Sequence, residues 1–354
     1  MVKQFYGFAD KIPLPSFTRN GVYQTVSLSG LVPPETKLVT IELKSNTVSL
    51  GYVGVRPLGT TLDATTYNWQ MVSNGVSTVT VALNASYQFQ VRATDTAANM
   101  EFSVIGGWGG NAAVSLGVDP VAAPGFTLGN SSTWRDVDLT SIINASDRGN
   151  VEAVLCYIRI PASPVVPAGV RGNGSTRSIS PYPQHQFFGA IAKVDKDNIV
   201  EVYEADDGSK TPAQASFVYF IGYIKKGAFD DGSGIRYRLR TILDPVDNNV
   251  GSSTWTNLNV APATSSTVHS IFWALQYTGS GAGVGPYTYA REVGSSNASV
   301  TQAKNRDYYT NFLLTVDSNK EVQHYMDSAD TQSWIFAYIE EYVRKAPRTM
   351  IVNT

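Results

Sequence analysis

Three arginines recur in similar turn-like contexts along the chain. They are Arg56 in "VGVRPLGTT", Arg171 in "AGVRGNGST" and Arg291 in "YAREVGSSN", at intervals of 115 and 120 residues. A guanidinium offers a planar fork of donors for a carboxylate and a flat cation for an aromatic face. Two roles fit such a residue. It contacts a partner, a ligand carboxylate or a neighbouring subunit, or it lies along its own domain. In the second role it pairs with the Asn or Asp of a nearby hairpin (Asn84, Asp195, Asp317) or stacks on a ring. Recurrence in every copy favours the structural role, and Asn84 departs from the pattern by carrying no charge. Aromatic clusters lie close to the arginines: "TYNW" (Tyr67, Trp69), "PYPQHQFF" (Tyr182) and "GPYTY" (Tyr287, Tyr289). Exposed rings there would contact a partner or stack on a glycan; buried ones would start a strand and fill a core.

Other reactive residues are not arranged for catalysis. His185, His269 and His324 share no offset, and no two stand at metal-ligand spacing. "GSGAGVG" from Gly279 mimics a dinucleotide fingerprint, but Pro286 and a Tyr-rich run follow it where a helix should begin. Asp206, Asp207, Asp230 and Asp231 cluster in loop-like stretches. A glycosidase needs two carboxylates facing one sugar bond, which these do not specify. No catalytic, metal or cofactor residue is assigned, and the chain reads as a non-enzyme.

The elements that carry these residues repeat three times. "SSTWRDVDL" at Trp134 and "SSTWTNLNV" at Trp255 begin half-buried strands, with a weaker counterpart "NGVYQTVSL" at Tyr23. Apolar residues follow at two-residue spacing: Val26 and Leu28, Val137 and Leu139, Leu258 and Val260. A strand, Asx turn and strand then recur around Asn84, Asp195 and Asp317, where the side-chain oxygen can bond the backbone two residues on. An aromatic strand closes each copy: "MEFSVIGGW", "FVYFIGYI" and "WIFAYIEEY". Asp-Pro-Val, from Asp119 and from Asp244, marks each linker. The pattern predicts an all-β chain of three tandem β-sandwich domains, jelly-roll or Ig-like, over 1–108, 109–224 and 225–354. Each copy is large enough for its own core.

Composition narrows the setting. Of 354 residues 43% are hydrophobic and only 16% charged, and the net charge is −2. That excludes a disordered chain and gives no attraction to nucleic acid or anionic membrane. No run approaches the length of a membrane helix, and the N-terminus lacks the apolar region of a signal peptide, so the N-x-[ST] matches are read as chance. Cys156, the one cysteine, sits in "VEAVLCYIRI" and is expected to be buried. Arg236, Arg238 and Arg240 alternate in "IRYRLR", either to meet an acidic neighbour or to protect an edge strand.

The order "GVRGNGST", "VDKDNIVEVY", "FVYFIGYI" resembles a repeat of tailed-bacteriophage virion structural proteins. The likeness runs from Gly169 to Ile224, is looser in the third copy, and in the first is confined mainly to "GVRPLGTT". It implies a virion component, of capsid decoration or head-fibre type or a tail accessory protein, folded in the host cytoplasm. Its expected partners are major capsid or tail proteins and further copies of itself, with neither nucleic acid nor membrane insertion. A tail-associated adhesin contacting a host-surface glycan is the alternative. Phe5, Tyr6 and Phe8 are candidates for a particle anchor, or else begin the first strand of copy one. The uncharged hairpin residue of copy one suggests that this copy is the specialised end.

Overall fold

The computed structural model describes residues 5–6, 11–45, 52–62, 69–70, 76–94, 100–123, 133–160, 168–176, 186–204, 217–227, 229–230, 234–247, 252–277, 287–295, 299–302, 309–326 and 331–342. Apart from a 3-10 turn at Ala145–Asp147, the regular structure is β. No helix among the described residues is long and apolar enough to cross a membrane.

The first unit contains β1 (Phe5–Tyr6), β2 (Ile12–Pro13), β3 (Gln24–Ser27), β4 (Thr36–Ser45), β5 (Tyr52–Pro57), β6 (Trp69–Gln70), β7 (Val76–Ala82), β8 (Gln88–Ala93) and β9 (Met100–Gly109). The second contains β10 (Ala113–Ser115), β11 (Val121–Ala122), β12 (Arg135–Asp138), β13 (Val151–Ile160), β14 (Ala168–Gly172), β15 (Gln186–Lys193), β16 (Ile199–Glu204) and β17 (Phe217–Lys225). The third contains β18 (Phe229–Asp230), β19 (Arg236–Asp247), β20 (Ser252–Asn259), β21 (Val268–Tyr277), β22 (Tyr287–Glu292), β23 (Ser299–Gln302), β24 (Tyr309–Thr315), β25 (Glu321–Met326) and β26 (Thr331–Glu341).

Each unit has two antiparallel sheets. The inner sheets run β1-β9-β4-β7, with β2 also on β9; β10-β17-β13-β15, with β11 also on β17; and β18-β19-β26-β21-β24. The outer sheets run β3-β8-β5-β6, β12-β16-β14 and β20-β25-β22-β23. With β1 and β2 counted as one interrupted strand, the first unit follows strand order first-eighth-third-sixth and second-seventh-fourth-fifth. The third unit repeats it from β19 onward, and the second repeats it over its described strands. That is the jelly roll, so of the two sandwiches expected the Ig-like form is set aside.

Register makes the copies comparable residue by residue. The long central strands β4, β13 and β21 each slip against the closing strand at two places, the second between Thr40 and Ile41, Leu155 and Cys156, and Phe272 and Trp273. Ile41, Cys156 and Trp273 are therefore equivalent. These bulges let a strand buried on both faces twist to follow two different neighbours.

The units are not strung out. The equivalent strands β7, β15 and β24 all touch one another, which closes the three units around a common centre in approximately three-fold fashion. One face of each inner sheet packs on its own outer sheet and the other faces this hub. A strand buried on both faces reads as a continuous apolar run, which explains "VEAVLCYI": all of Val151–Ile158 is buried. The tandem copies therefore pack side by side, since Leu155, Tyr157, Phe272 and Leu313 would otherwise meet water. The Tyr157 hydroxyl donates to the Thr80 carbonyl of the first unit. Gly189 brings β15 so close to β7 that a Cβ there would stand 3.1 Å from the Thr78 carbonyl oxygen.

A latch repeats between consecutive units. Asp119, opening the second unit, accepts from the Thr60 and Thr61 hydroxyls and from the Thr61 N–H at 2.8 Å. Asp244, opening the third, accepts from the Ser175 hydroxyl at 2.9 Å and the Thr176 N–H at 2.8 Å. The Asp-Pro-Val mark and the Gly-Ser/Thr tail of the arginine turn are thus two halves of one contact between units. The Thr60 hydroxyl and the other donors hold the Asp119 carboxyl below its ordinary range.

Phe5 and Tyr6 pair with Trp108 and Gly107 on β9, so their backbone forms an edge strand of the first inner sheet and not a free arm. Phe8 lies outside the described residues.

Candidate functional site on the outer sheets

In all three units the arginine points from β5, β14 or β22 onto the exposed face of the outer sheet. Arg56, Arg171 and Arg291 pair across the ladder with Gln90, Glu201 and Gln323. Each donates its Nε to that neighbour at 2.8 Å. Each guanidinium also covers a ring: Tyr23 at 3.9 Å, Trp134 at 4.2 Å and Trp255 at 3.8 Å from the centroid. The "SSTW" strand and the arginine turn therefore recur together because they are stacked.

Asn84, Asp195 and Asp317 do not hold the arginines, which corrects one half of the structural expectation. They sit at the hairpin turn, where one side-chain oxygen accepts two backbone N–H groups. The donors are Ser86 and Gln88, Asp197 and Ile199, and Asn319 and Glu321, at 2.7–2.9 Å. These bonds fasten a turn that takes Tyr87, Asn198 and Lys320 to φ of 58°, 65° and 63°. An amide oxygen serves as well as a carboxylate, so Asn84 marks no loss in the first copy. The true acceptors lie six residues further on, and period-two spacing from the turn could have found them.

Tyr67 and Tyr182 lie outside the described residues. Trp69 and Tyr287 are described as backbone only, and both stand in strands (β6 and β22) rather than loops. Tyr289 alone of these candidates joins a described cluster: its ring lies 5.3 Å from Tyr325 and 5.9 Å from Trp255. Arg238 and Arg240 both converge on Glu340 of the adjacent strand, at 2.6 and 2.9 Å. Those two arginines pair with a carboxylate of their own sheet. Cys156 is buried, and desolvation pushes its thiol well up.

Sequence reasoning missed the feature that sets the third unit apart. His324 and Trp273 meet in its core with centroids 5.8 Å apart. Neither His324 ring nitrogen, nor the Trp273 Nε1, has a hydrogen-bond partner, and burial lowers the His324 pKa. The first and second units place Val91 and Val202 where the third has His324. The offset from the hairpin Asp was the available signal. Among the described residues no group of three His, Cys, Asp or Glu is placed to hold a metal ion.

No family model matches the chain. No curated protein matches it either. Among solved structures, a chain in the atomic structure of Sulfolobus Turreted Icosahedral Virus is 10% identical, with 97% of this chain and 98% of that one covered and a TM-score of 0.22. The N-terminal CBM22-1–CBM22-2 tandem domain of Xyn10C from Paenibacillus barcinonensis is 11% identical, with 92% and 98% covered and a TM-score of 0.16. Likenesses this slight carry no functional meaning.

Proposed function

We propose that the chain is a non-enzymatic virion structural protein, of capsid decoration or head-fibre type, that binds the particle surface. The observation that carries this reading is the closed ring of three jelly rolls packed around one apolar hub. Jelly rolls serve in viral capsids because two packed sheets make a stiff tile with loops free at both ends. Here three tiles come on one chain and are latched Asp to Ser/Thr, so a trimer-like block forms without assembling subunits. The recurring arginines support the same reading, since each is consumed in bracing an outer sheet and none is left as a reactive group. The partners of such a block are capsid proteins.

Particles purified on a density gradient from cells producing the virus and this chain test the proposal. Quantitative mass spectrometry should find the chain at a fixed ratio to the major capsid protein. Recovery of the chain only from the soluble fraction would overturn it. A tail-associated adhesin is the second reading, favoured by the aromatic face of the third unit.

A further inference from the structure

The outer sheet of the third unit differs from the other two in the side chains that cross its strands. Two rows of side chains cross its strands. In the first, Trp255, Tyr325 and Tyr289 follow one another on β20, β25 and β22, with centroids 6.0 and 5.3 Å apart. In the second, Asn257, Gln323 and Arg291 are register partners on the same strands. The corresponding first rows end in glycine: Tyr23, Arg92, Gly54 in the first unit and Trp134, Tyr203, Gly169 in the second. Only the third unit extends the aromatic row across three strands, about 10 Å in all at the usual strand spacing.

The polar row is wired in one direction. Arg291 Nε donates to Gln323 Oε1 at 2.8 Å, Gln323 Nε2 to Asn257 Oδ1 at 2.8 Å, and Asn257 Nδ2 to Glu321 Oε2 at 2.9 Å. Each amide group keeps a second N–H and a second lone pair. The row therefore offers donors and acceptors side by side, and its terminal charges, Arg291 and Glu321, cancel. Arg291 covers one face of Trp255, while the two tyrosines meet that ring tilted, at 57° and 53°, so neither lies flat on it. Trp255, Tyr289, Gln323 and Tyr325 are half-buried and Asn257 is exposed.

We propose that this face binds a neutral oligosaccharide. Sugar rings present C–H patches that suit aromatic rings, and hydroxyls that both donate and accept, which suits held amides. Ring spacing near one sugar length allows two successive units to be read. A strongly anionic ligand is disfavoured, because Glu321 closes the row. The site does not rest on the virion reading: particle association and saccharide binding are separate measurements that can fail separately.

The test titrates the full-length chain with cello-, manno-, malto- and galacto-oligosaccharides, followed by tryptophan fluorescence and calorimetry. At least one series should bind. Tyr289→Gly, which installs the residue of the other two units, should weaken it about tenfold or more. Asn257→Ala should weaken it as well, with both variants keeping the parent's far-UV circular dichroism, so that the loss is read on folded protein. Binding by none of the four series would overturn the proposal. So would binding that Tyr289→Gly and Asn257→Ala leave intact, or binding of charged saccharides alone.

Discussion

The cores of the first two units run together with the hub, whereas the sandwich core of the third stands apart. Residues such as Ile41, Phe89, Cys156 and Phe220 belong to one continuous apolar cluster that also takes in Phe272, Leu313 and Phe336 from the hub face of the third unit. Val260, Ile271, Trp273, Leu314 and Ile335 form a second, smaller cluster inside the third unit. Its equivalents of Ile41 and Val91 are Trp273 and His324, where the second unit has Cys156 and Val202. One half of the third unit is therefore committed to the ring, and its other half is an independent sandwich with the aromatic outer face. In its core and on its outer face the third copy departs from the other two at Trp273, His324 and Tyr289, whereas Asn84 sets the first apart in no contact.

The largest expected effect comes from attacking the hub. Gly222 lies on β17 where a Cβ would stand 2.7 Å from the Val114 carbonyl oxygen and 3.0 Å from Leu38 Cδ1 of the first unit. The third unit carries Ala337 at the equivalent register position, opposite Phe272. Gly222→Ala should therefore cost about 1–3 kcal/mol of stability, because a backbone oxygen cannot move aside. Denaturant unfolding measures it. If the variant were as stable as the parent, neither β10 of the same unit nor Leu38 of the first would be held against Gly222 as tightly as they stand.

Tyr157→Phe removes the hydroxyl that reaches Thr80 across the hub, with no change in ring packing. A loss of about 1 kcal/mol is expected, the usual worth of a buried neutral hydrogen bond. Hydrogen exchange should report faster opening of β7 and β15 together. Faster opening of β15 alone would mean that the two units fluctuate independently.

The latches rank next. Asp119→Ala and Asp244→Ala each delete an acceptor that gathers donors from the preceding unit. Both lie near the surface, where water replaces lost bonds, so about 0.5–1 kcal/mol each is expected. The two losses should add, since the latches share no residue. The Asp119 carboxyl is held below its ordinary pKa, so its contribution is complete above about pH 4 and fades as acid protonates it.

The repeat and the all-β class were legible because period-two alternation and Asx turns are local signals, whereas the sheet order that separates a jelly roll from an Ig-like sandwich depends on long-range pairing and was not. The arginine's stack on the "SSTW" ring was half-legible, since both recur, but the acceptor was misassigned to the conspicuous turn residue. The hub was not legible. Its touching strands β7, β15 and β24 read VSTVTVA, QFFGAIAK and YTNFLLT, and no residue repeats among them to mark the contact. The latch left a trace in Asp-Pro-Val, whose partner could be identified only once the units were seen side by side.

The smallest expected effect separates the third core from the others by pH. His324 is buried with no hydrogen-bond partner, and burial alone lowers its pKa from the ordinary 6.5. The unfolded chain then binds more protons just below that value than the folded chain does. Stability is complete above pH 6.5 and is lost progressively as the pH falls below it. The loss belongs to the third sandwich, because Val91 and Val202 do not titrate. His324→Val copies the other two units and should flatten the stability profile between pH 7 and the onset of carboxylate protonation. At neutral pH the exchange is expected to be close to neutral, since an unsatisfied imidazole is replaced by a smaller apolar side chain beside Trp273. Thermal unfolding of parent and variant across this range checks it: equal slopes would show that protonation of His324 is absorbed without loosening the third core.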